Sequence, residues 1–266
     1  MIPTSVIVGL VFNIAVCFLI PIITLIYLVK KDRKRVKSFL IGMLIFFITQ
    51  ILIRIPILTY ILPNMMWFLK LMTNPYLYGI FLGLTAGIFE EVGRYIAFKF
   101  MLKKNHQWED GISYGIGHGG IEAMLITGMT NINLLIGCVL INSGKLEVLS
   151  NQTNNANLES LYNICMSLTS GTTFLAGVER IFAISIQIGL SMIVLYGVRN
   201  RKIIYLFIAI LIHTLINAPI VILPAVFNIG AIGLEIYFFI WAIALGAFTI
   251  YSKKLYKKQE DININS

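Results

Sequence analysis

Seven apolar runs dominate the chain, at about 4–29, 38–62, 74–102, 110–142, 177–198, 203–223 and 227–251. A helix needs about 20 mostly apolar residues to cross the hydrocarbon core of a bilayer, and each run meets that length. The pattern predicts an all-α, polytopic membrane bundle of about seven transmembrane helices, forming a single integral membrane domain over 1–266. The fourth run is the longest and is expected to tilt, or to break near Gly117, Gly119 and Gly120. One long connection, about 143–176, is rich in Asn, Ser and Thr, with Asn151, Thr153, Asn154, Asn155 and Asn157. Within it Leu158, Leu161, Tyr162 and Cys165 recur at a helical spacing, which predicts one short amphipathic helix on the membrane surface. No internal repeat is visible, which weighs against repeat-built transporter folds.

Composition and charge give the bundle an orientation. The chain is 58% hydrophobic and 12% charged, with a mean hydropathy of +0.85. Soluble domains carry about 25% charged residues, so an ordinary soluble enzyme, a disordered chain and a disulfide scaffold are excluded. Lys and Arg total 21 against 12 Asp and Glu, a formal charge of +9. The excess lies in short blocks between apolar runs: residues 30–37, Lys103-Lys104, residues 199–202, and Lys253, Lys254, Lys257 and Lys258. In a seven-span arrangement all four blocks fall on one side. The positive-inside bias then puts the N-terminus outside and the C-terminus in the cytoplasm of a multi-pass cell-membrane protein, most simply in a bacterial plasma membrane. Basic residues arranged this way flank a membrane and do not point to nucleic acid. The first run is followed by a basic block without a small-residue cleavage site, and is expected to be a retained span. Three cysteines without a CxxC pattern suggest no disulfide framework.

Ionisable residues inside the spans carry the functional signal, because each costs at least about 2.5 kcal/mol at the helix centre on insertion scales. Counting at 1.5 Å per residue, Glu90 and Glu91 lie roughly 18 Å in from the cytoplasmic end at Lys103. His118 lies about 12–14 Å and His213 about 15 Å in from the same side. Three helices thus place polar groups in one layer of the cytoplasmic half, which predicts a shared site. Within it Glu90 and Arg94, His118 and Glu122, and His213 and Asn217 are each i, i+4 pairs. Arg94 is expected to hold Glu90, while Glu91 points about 100° away. Glycines at 115, 117, 119 and 120 leave the His118 backbone open to a helix or a peptide. A second layer of Arg54, Glu179, Arg180 and Glu235 lies nearer the outer face and is expected to form structural ion pairs, with Arg54 against Glu179.

Carboxylates beside imidazoles suit activation of water: a carboxylate takes the proton, and imidazole or amide groups stabilise the oxyanion. The same donors, His118, His213 and Glu90, are ligand types for zinc, although no HExxH is present. Three readings stand open at this point. One is a peptidase acting on a peptide or membrane-protein substrate. The second is a small-molecule or ion carrier using buried Glu and His. The third is a non-catalytic binding or immunity protein on the same scaffold.

Three motifs then carry a resemblance. Glu90-Glu91-x-x-Arg94, Tyr114-x-x-x-His118 and His213-x-x-x-Asn217 resemble, in order, the EExxxR, FxxxH and HxxxN/D motifs of the CAAX-protease and bacteriocin-processing superfamily. The stretches Glu90–Tyr95, Tyr114–Glu122 and Glu179–Ala183 look closest to its YhfC branch of intramembrane metalloproteases. The resemblance implies a glutamate-type or metal-dependent endopeptidase in a helical bundle. In it Glu90 and Glu91 supply the water-activating carboxylate and its partner, and His118 takes the second-motif role. His213 and Asn217 stabilise the oxyanion, or His118, His213 and Glu90 ligate zinc, with Arg94, Glu122 and Tyr114 in support. The chain departs from the pattern twice. The first motif has one residue fewer before its Arg, as in PrsW-like EExxK, and span five offers Gln187 where the YhfC branch is expected to offer histidine.

Overall fold

A computed structural model describes residues 1–145 and 155–264, the side chains of 155–156 and 258–264 excepted. The described residues form an all-α polytopic bundle. Helix α1 is Thr4–Lys31 and α2 is Arg33–Phe46. The α2 rod continues through π-helical turns at Phe47–Arg54 and Ile57–Ile61. A short α3, Met66–Met72, precedes α4, Pro75–Ile96, which ends in a π-helical turn at Ala97–Met101. Helix α5, Trp108–Glu122, runs through a π-helical turn at Ala123–Gly128 into α6, Met129–Asn142. Then come α7, Asn155–Ser167; α8, Ser170–Arg199; α9, Ile204–Phe227; and α10, Ala231–Ile264.

Helix boundaries follow local chemistry. Asn74 accepts from the amides of Tyr76 and Leu77, with Pro75 in the first turn where its missing N–H costs nothing. Gln107 and Asp110 form a reciprocal cap on α5, and Thr169 and Thr172 do so on α8. Those caps start α8 seven residues before the apolar run does. The long fourth run does not break at its glycines. It stays α-helical through Gly120 and loosens only after Glu122. In the long connection, the expected surface helix is α7, whose Leu161 and Cys165 turn inward against Leu134 and Cys138. Asn151, Thr153 and Asn154 lie outside the described residues.

Among the described residues, six helical segments are long and apolar enough to cross a membrane: Thr4–Lys31, Arg33–Asn64, Trp108–Asn142, Ser170–Arg199, Ile204–Phe227 and Ala231–Lys257. The remaining apolar run, 74–102, is helical as α4 and its π-helical end. Its charges dilute its apolarity, and Glu90, Glu91 and Arg94 are all buried. One face of this helix, with Gly83, Gly87, Glu90, Glu91 and Arg94, is buried against its neighbours while Leu77, Ile80, Leu84 and Ile88 stay exposed, and close backbone approach explains the buried side. A Cβ on Gly83 would lie 2.8 Å from the Ala218 nitrogen, and one on Gly87 would lie 2.9 Å from the Ile210 carbonyl. Small residues four apart thus seat α9 directly on α4, the usual route to tight packing in lipid.

Helix α5 is gripped from three sides. A Cβ on Gly117 would meet the Phe39 carbonyl oxygen at 2.1 Å, one on Gly115 the Ile188 Cα at 2.5 Å, and one on Gly120 the Pro21 Cβ at 2.7 Å. Helices α2, α8 and α1 therefore fill the space that the glycines leave around His118, and no bare face remains there for a peptide. The main apolar core lies toward the basic end, around Phe98, Leu102, Tyr114, Leu190 and Leu195.

Candidate active site

Glu90 is the hub of a polar layer drawn from five helical segments. Its Oε1 accepts from Gln50 Nε2 at 2.7 Å. Its Oε2 meets His118 Nε2 at 3.0 Å and Gln187 Nε2 at 3.1 Å. An ionised carboxylate has about four acceptor positions, so one remains, on Oε1. That atom faces His213 Nε2 at 3.8 Å, beyond hydrogen-bond reach.

Glu91 has a different task. Arg94 Nη1 donates to both of its oxygens, at 2.7 and 2.6 Å, and His213 Nδ1 contacts Oε1 at 2.7 Å. Because an ionised carboxylate can only accept, Nδ1 of His213 carries the hydrogen in this contact. Glu91 thereby fixes the ring and turns Nε2 toward Glu90. Arg94 completes the layer by donating from Nη2 to Gln187 Oε1 at 2.5 Å. The expected Arg94–Glu90 pair is therefore replaced by an Arg94–Glu91 pair. Glu90 is already engaged by Gln50, His118 and Gln187, whereas Glu91 and Arg94 share one side of the helix at i, i+3.

The other i, i+4 expectations resolve similarly, because partners on neighbouring helices win. His118 pairs with Glu90 and not with Glu122. Glu122 accepts from Gln187 Nε2 at 2.9 Å and lies 3.6 Å from Arg180 Nη1. Arg180 also pairs with Glu179. Arg54 does not reach Glu179. It donates to Thr85 Oγ1 at 3.2 Å, Gln50 Oε1 at 3.1 Å and the Leu82 carbonyl at 2.8 Å. Arg54 thus orients the amide that holds Glu90. Glu235 forms no ion pair among the described residues, and its Oε2 is buried without a hydrogen-bond partner. Gln50 and Gln187 were not flagged as site residues by charge, yet each bridges charged groups. The available signal for Gln50 was its i, i+4 spacing to Arg54.

A cavity of about 380 Å³ has this layer as its floor. Glu90, His213, Gln187 and Asn217 line it, together with Glu122, Arg54, Glu179 and Arg180. Its remaining walls include Leu82 and Ala86 of α4, Ile126 after α5, Ala183 of α8 and Ile220 of α9. Each of these lies beyond the polar layer on the side away from the basic blocks. The cavity therefore runs toward the end of the bundle away from the basic blocks, not toward the basic end. The reason is packing: Phe98, Leu102 and Tyr114, all fully buried, pack in the apolar core on the basic side of the layer. Of the second layer read from the sequence, Arg54, Glu179 and Arg180 line the chamber that Glu90 and His213 floor, and Glu235 is not among its lining residues. Glu91, Arg94, His118 and Tyr114 stand behind the floor.

The donor chemistry fits a metal ion in part. His213 Nε2 and Glu90 Oε1 are acceptors that face each other across a gap, an arrangement satisfied by a proton, a water or a cation. Glu91 on His213 Nδ1 is the outer-shell carboxylate typical of a ligating histidine. His118 could join through Nε2 if its hydrogen moved to Nδ1, which is buried without a partner. Among the described residues, however, no three His, Cys, Asp or Glu side chains already converge as a metal-binding group.

Comparison with known proteins places the chain in a family. The family model described as YhfC intramembrane metalloprotease matches residues 16–244. An uncharacterized membrane protein YhfC of Bacillus subtilis (strain 168) is 40% identical over 222 residues, covering 83% of this chain and 86% of that protein. No solved structure matches the chain. With the polar layer, its cavity and these similarities in hand, the chain belongs to the YhfC family of multi-pass membrane proteins.

Proposed function

We propose that the protein is an intramembrane endopeptidase in which Glu90 activates water at the floor of the cavity. The observation that carries this reading is the environment of Glu90. Three hydrogen bonds fix its carboxylate, and its one open acceptor position faces His213. A water held there donates to Glu90 Oε1. As its oxygen attacks the peptide carbonyl carbon, Glu90 takes the proton and the carbonyl π pair moves onto oxygen. The Asn217 amide lies on the cavity wall one helical turn from His213, where its N–H groups can donate to that oxyanion. Glu90 then returns the proton to the departing nitrogen, and the carbonyl re-forms as the C–N bond breaks. His118 keeps Glu90 in place, Glu91 keeps His213 in place, and Arg94 balances the second carboxylate.

Where zinc is bound, Glu90, His118 and His213 are the residues that would hold it, and it would supply a more acidic water and a Lewis acid. The kinship with CAAX and PrsW-like enzymes is part of the same proposal, as is an N-terminus outside and a C-terminus in the cytoplasm.

The test is proteolysis in liposomes. The purified protein is reconstituted with an extract of membrane proteins, and new termini are identified by mass spectrometry. General acid–base catalysis contributes about 10²–10⁴-fold, so Glu90→Gln should lower the yield of new termini at least about a hundred-fold. His118→Ala and Glu91→Gln should also lose them. Equal termini from wild type and all three variants would reject the peptidase and leave a carrier or binding protein.

A further inference from the structure

A second cavity, of about 490 Å³, lies at the basic end between the tail of α4 and the turn joining α8 to α9. Tyr95, Lys99, Lys103, His106 and Arg201 line it, and no acidic side chain does among the described residues. We infer that this pocket binds the phosphate headgroup of an anionic phospholipid.

The cations are set up for a ligand from outside the chain. None of Lys99, Lys103 and Arg201 has a salt bridge among the described residues. The other basic contact at this end, Arg35 with Asp110 at 3.0 Å, is internally neutralised by comparison. Lys99 Nζ donates to Tyr95 Oη at 3.0 Å and lies 5.1 Å from the centre of its ring. That contact uses a lone pair of the phenol, so the Tyr95 O–H remains a donor. His106 is tied back by its Nε2, which donates to the Phe98 carbonyl at 2.8 Å. Arg201 sits in the left-handed region, with φ 55°, inside a turn closed by Lys202 N to Gly197 O at 2.9 Å. A non-glycine residue held there is uncommon, and the turn fixes the position from which Arg201 extends.

The surroundings favour a lipid over a free anion. Ile96 and Phe100 on one side of the pocket, and Ile203 and Ile204 on the other, are exposed. Cations and a tyrosine beside exposed apolar residues, at the end of membrane-crossing helices, match the headgroup boundary with acyl chains alongside. Basic pockets between spanning helices are a general solution for anionic headgroups.

Native mass spectrometry of the full chain tests this, because it counts lipids bound to folded molecules. Phosphatidylglycerol and phosphatidylcholine of matched chains are titrated onto wild type, K99Q/K103Q/R201Q and the control K30Q/K31Q/K34Q. A cation near an anionic headgroup contributes about five-fold, so the pocket variant should bind its first phosphatidylglycerol roughly a hundred-fold more weakly. The control should change little, and K99R/K103R should retain binding. Equal binding of the two lipids by wild type would overturn the assignment, as would equal losses in pocket and control variants. Displacement of phosphatidylglycerol by millimolar inorganic phosphate would assign the pocket to a soluble anion instead.

Discussion

The pairing of Arg94 with Glu91, not Glu90, makes the sharpest thermodynamic prediction. Both side chains are fully buried, and Arg94 Nη1 contacts both oxygens of Glu91. Arg94→Met removes that bond and the one to Gln187, leaving Glu91 with His213 as its only compensation. Removing one partner of a buried pair costs about 3–5 kcal/mol, because the other charge stays buried and uncompensated. Glu91→Gln should cost a similar amount by stranding Arg94. The double variant E91Q/R94M removes both charges and should be less destabilised than the sum of the two, by about 2 kcal/mol or more. The cycle pairing Arg94 with Glu90 should show a smaller coupling, below about 1 kcal/mol, since the two share Gln187 as a partner and form no ion pair with each other among the described residues. Stability is read from reversible unfolding in mixed micelles with increasing denaturing detergent. Additivity of E91Q and R94M within about 0.5 kcal/mol would refute the pairing, as would a larger coupling for Glu90.

Other perturbations address the scaffold and the hub. Gly117→Ala drives a Cβ to 2.1 Å from the Phe39 carbonyl and should cost about 3 kcal/mol, whereas Gly230→Ala meets nothing within 4 Å and should be neutral; the same unfolding assay compares them. Gln50→Leu removes a 2.7 Å hydrogen bond to a charged group, a loss of about 1.5–3 kcal/mol, and should lower the yield of new termini about ten- to a hundred-fold while leaving the protein monodisperse. Gln187→Leu strands Glu90, Glu122 and Arg94 together and should be more damaging than Gln50→Leu in both assays.

The sequence made the bundle legible because its signals are one-dimensional. Apolar runs reveal spans, and residue counts reveal depth, so Glu90, His118 and His213 could be placed in one layer before their helices were seen to pack. Partner choice was not legible. Spacing along a helix says which side chains share a face, but Gln50, Gln187 and His213 arrive from other helices and compete for the same carboxylates. The amides were also invisible to a search for charge, although Gln187 binds three charged groups. The direction of the cavity was not legible for a related reason. Depth alone does not say which side of a layer is filled, and here Phe98 and Tyr114 close the basic side. The glycine-rich stretch around His118 predicted close approach correctly, but only packing reveals that α1, α2 and α8 take all of that space.

We propose that water reaches Glu90 and its partners, at the floor of the chamber, from the end away from the basic blocks. Labelling of single cysteines tests it most directly, with Cys17, Cys138 and Cys165 replaced. Ala183→Cys, on the chamber wall, should react in intact cells with a thiol reagent that does not cross membranes, whereas Ala97→Cys, in the core behind the floor, should stay unlabelled. Labelling of Ala183→Cys only from inverted vesicles, or equal labelling of both positions, would contradict entry from that end.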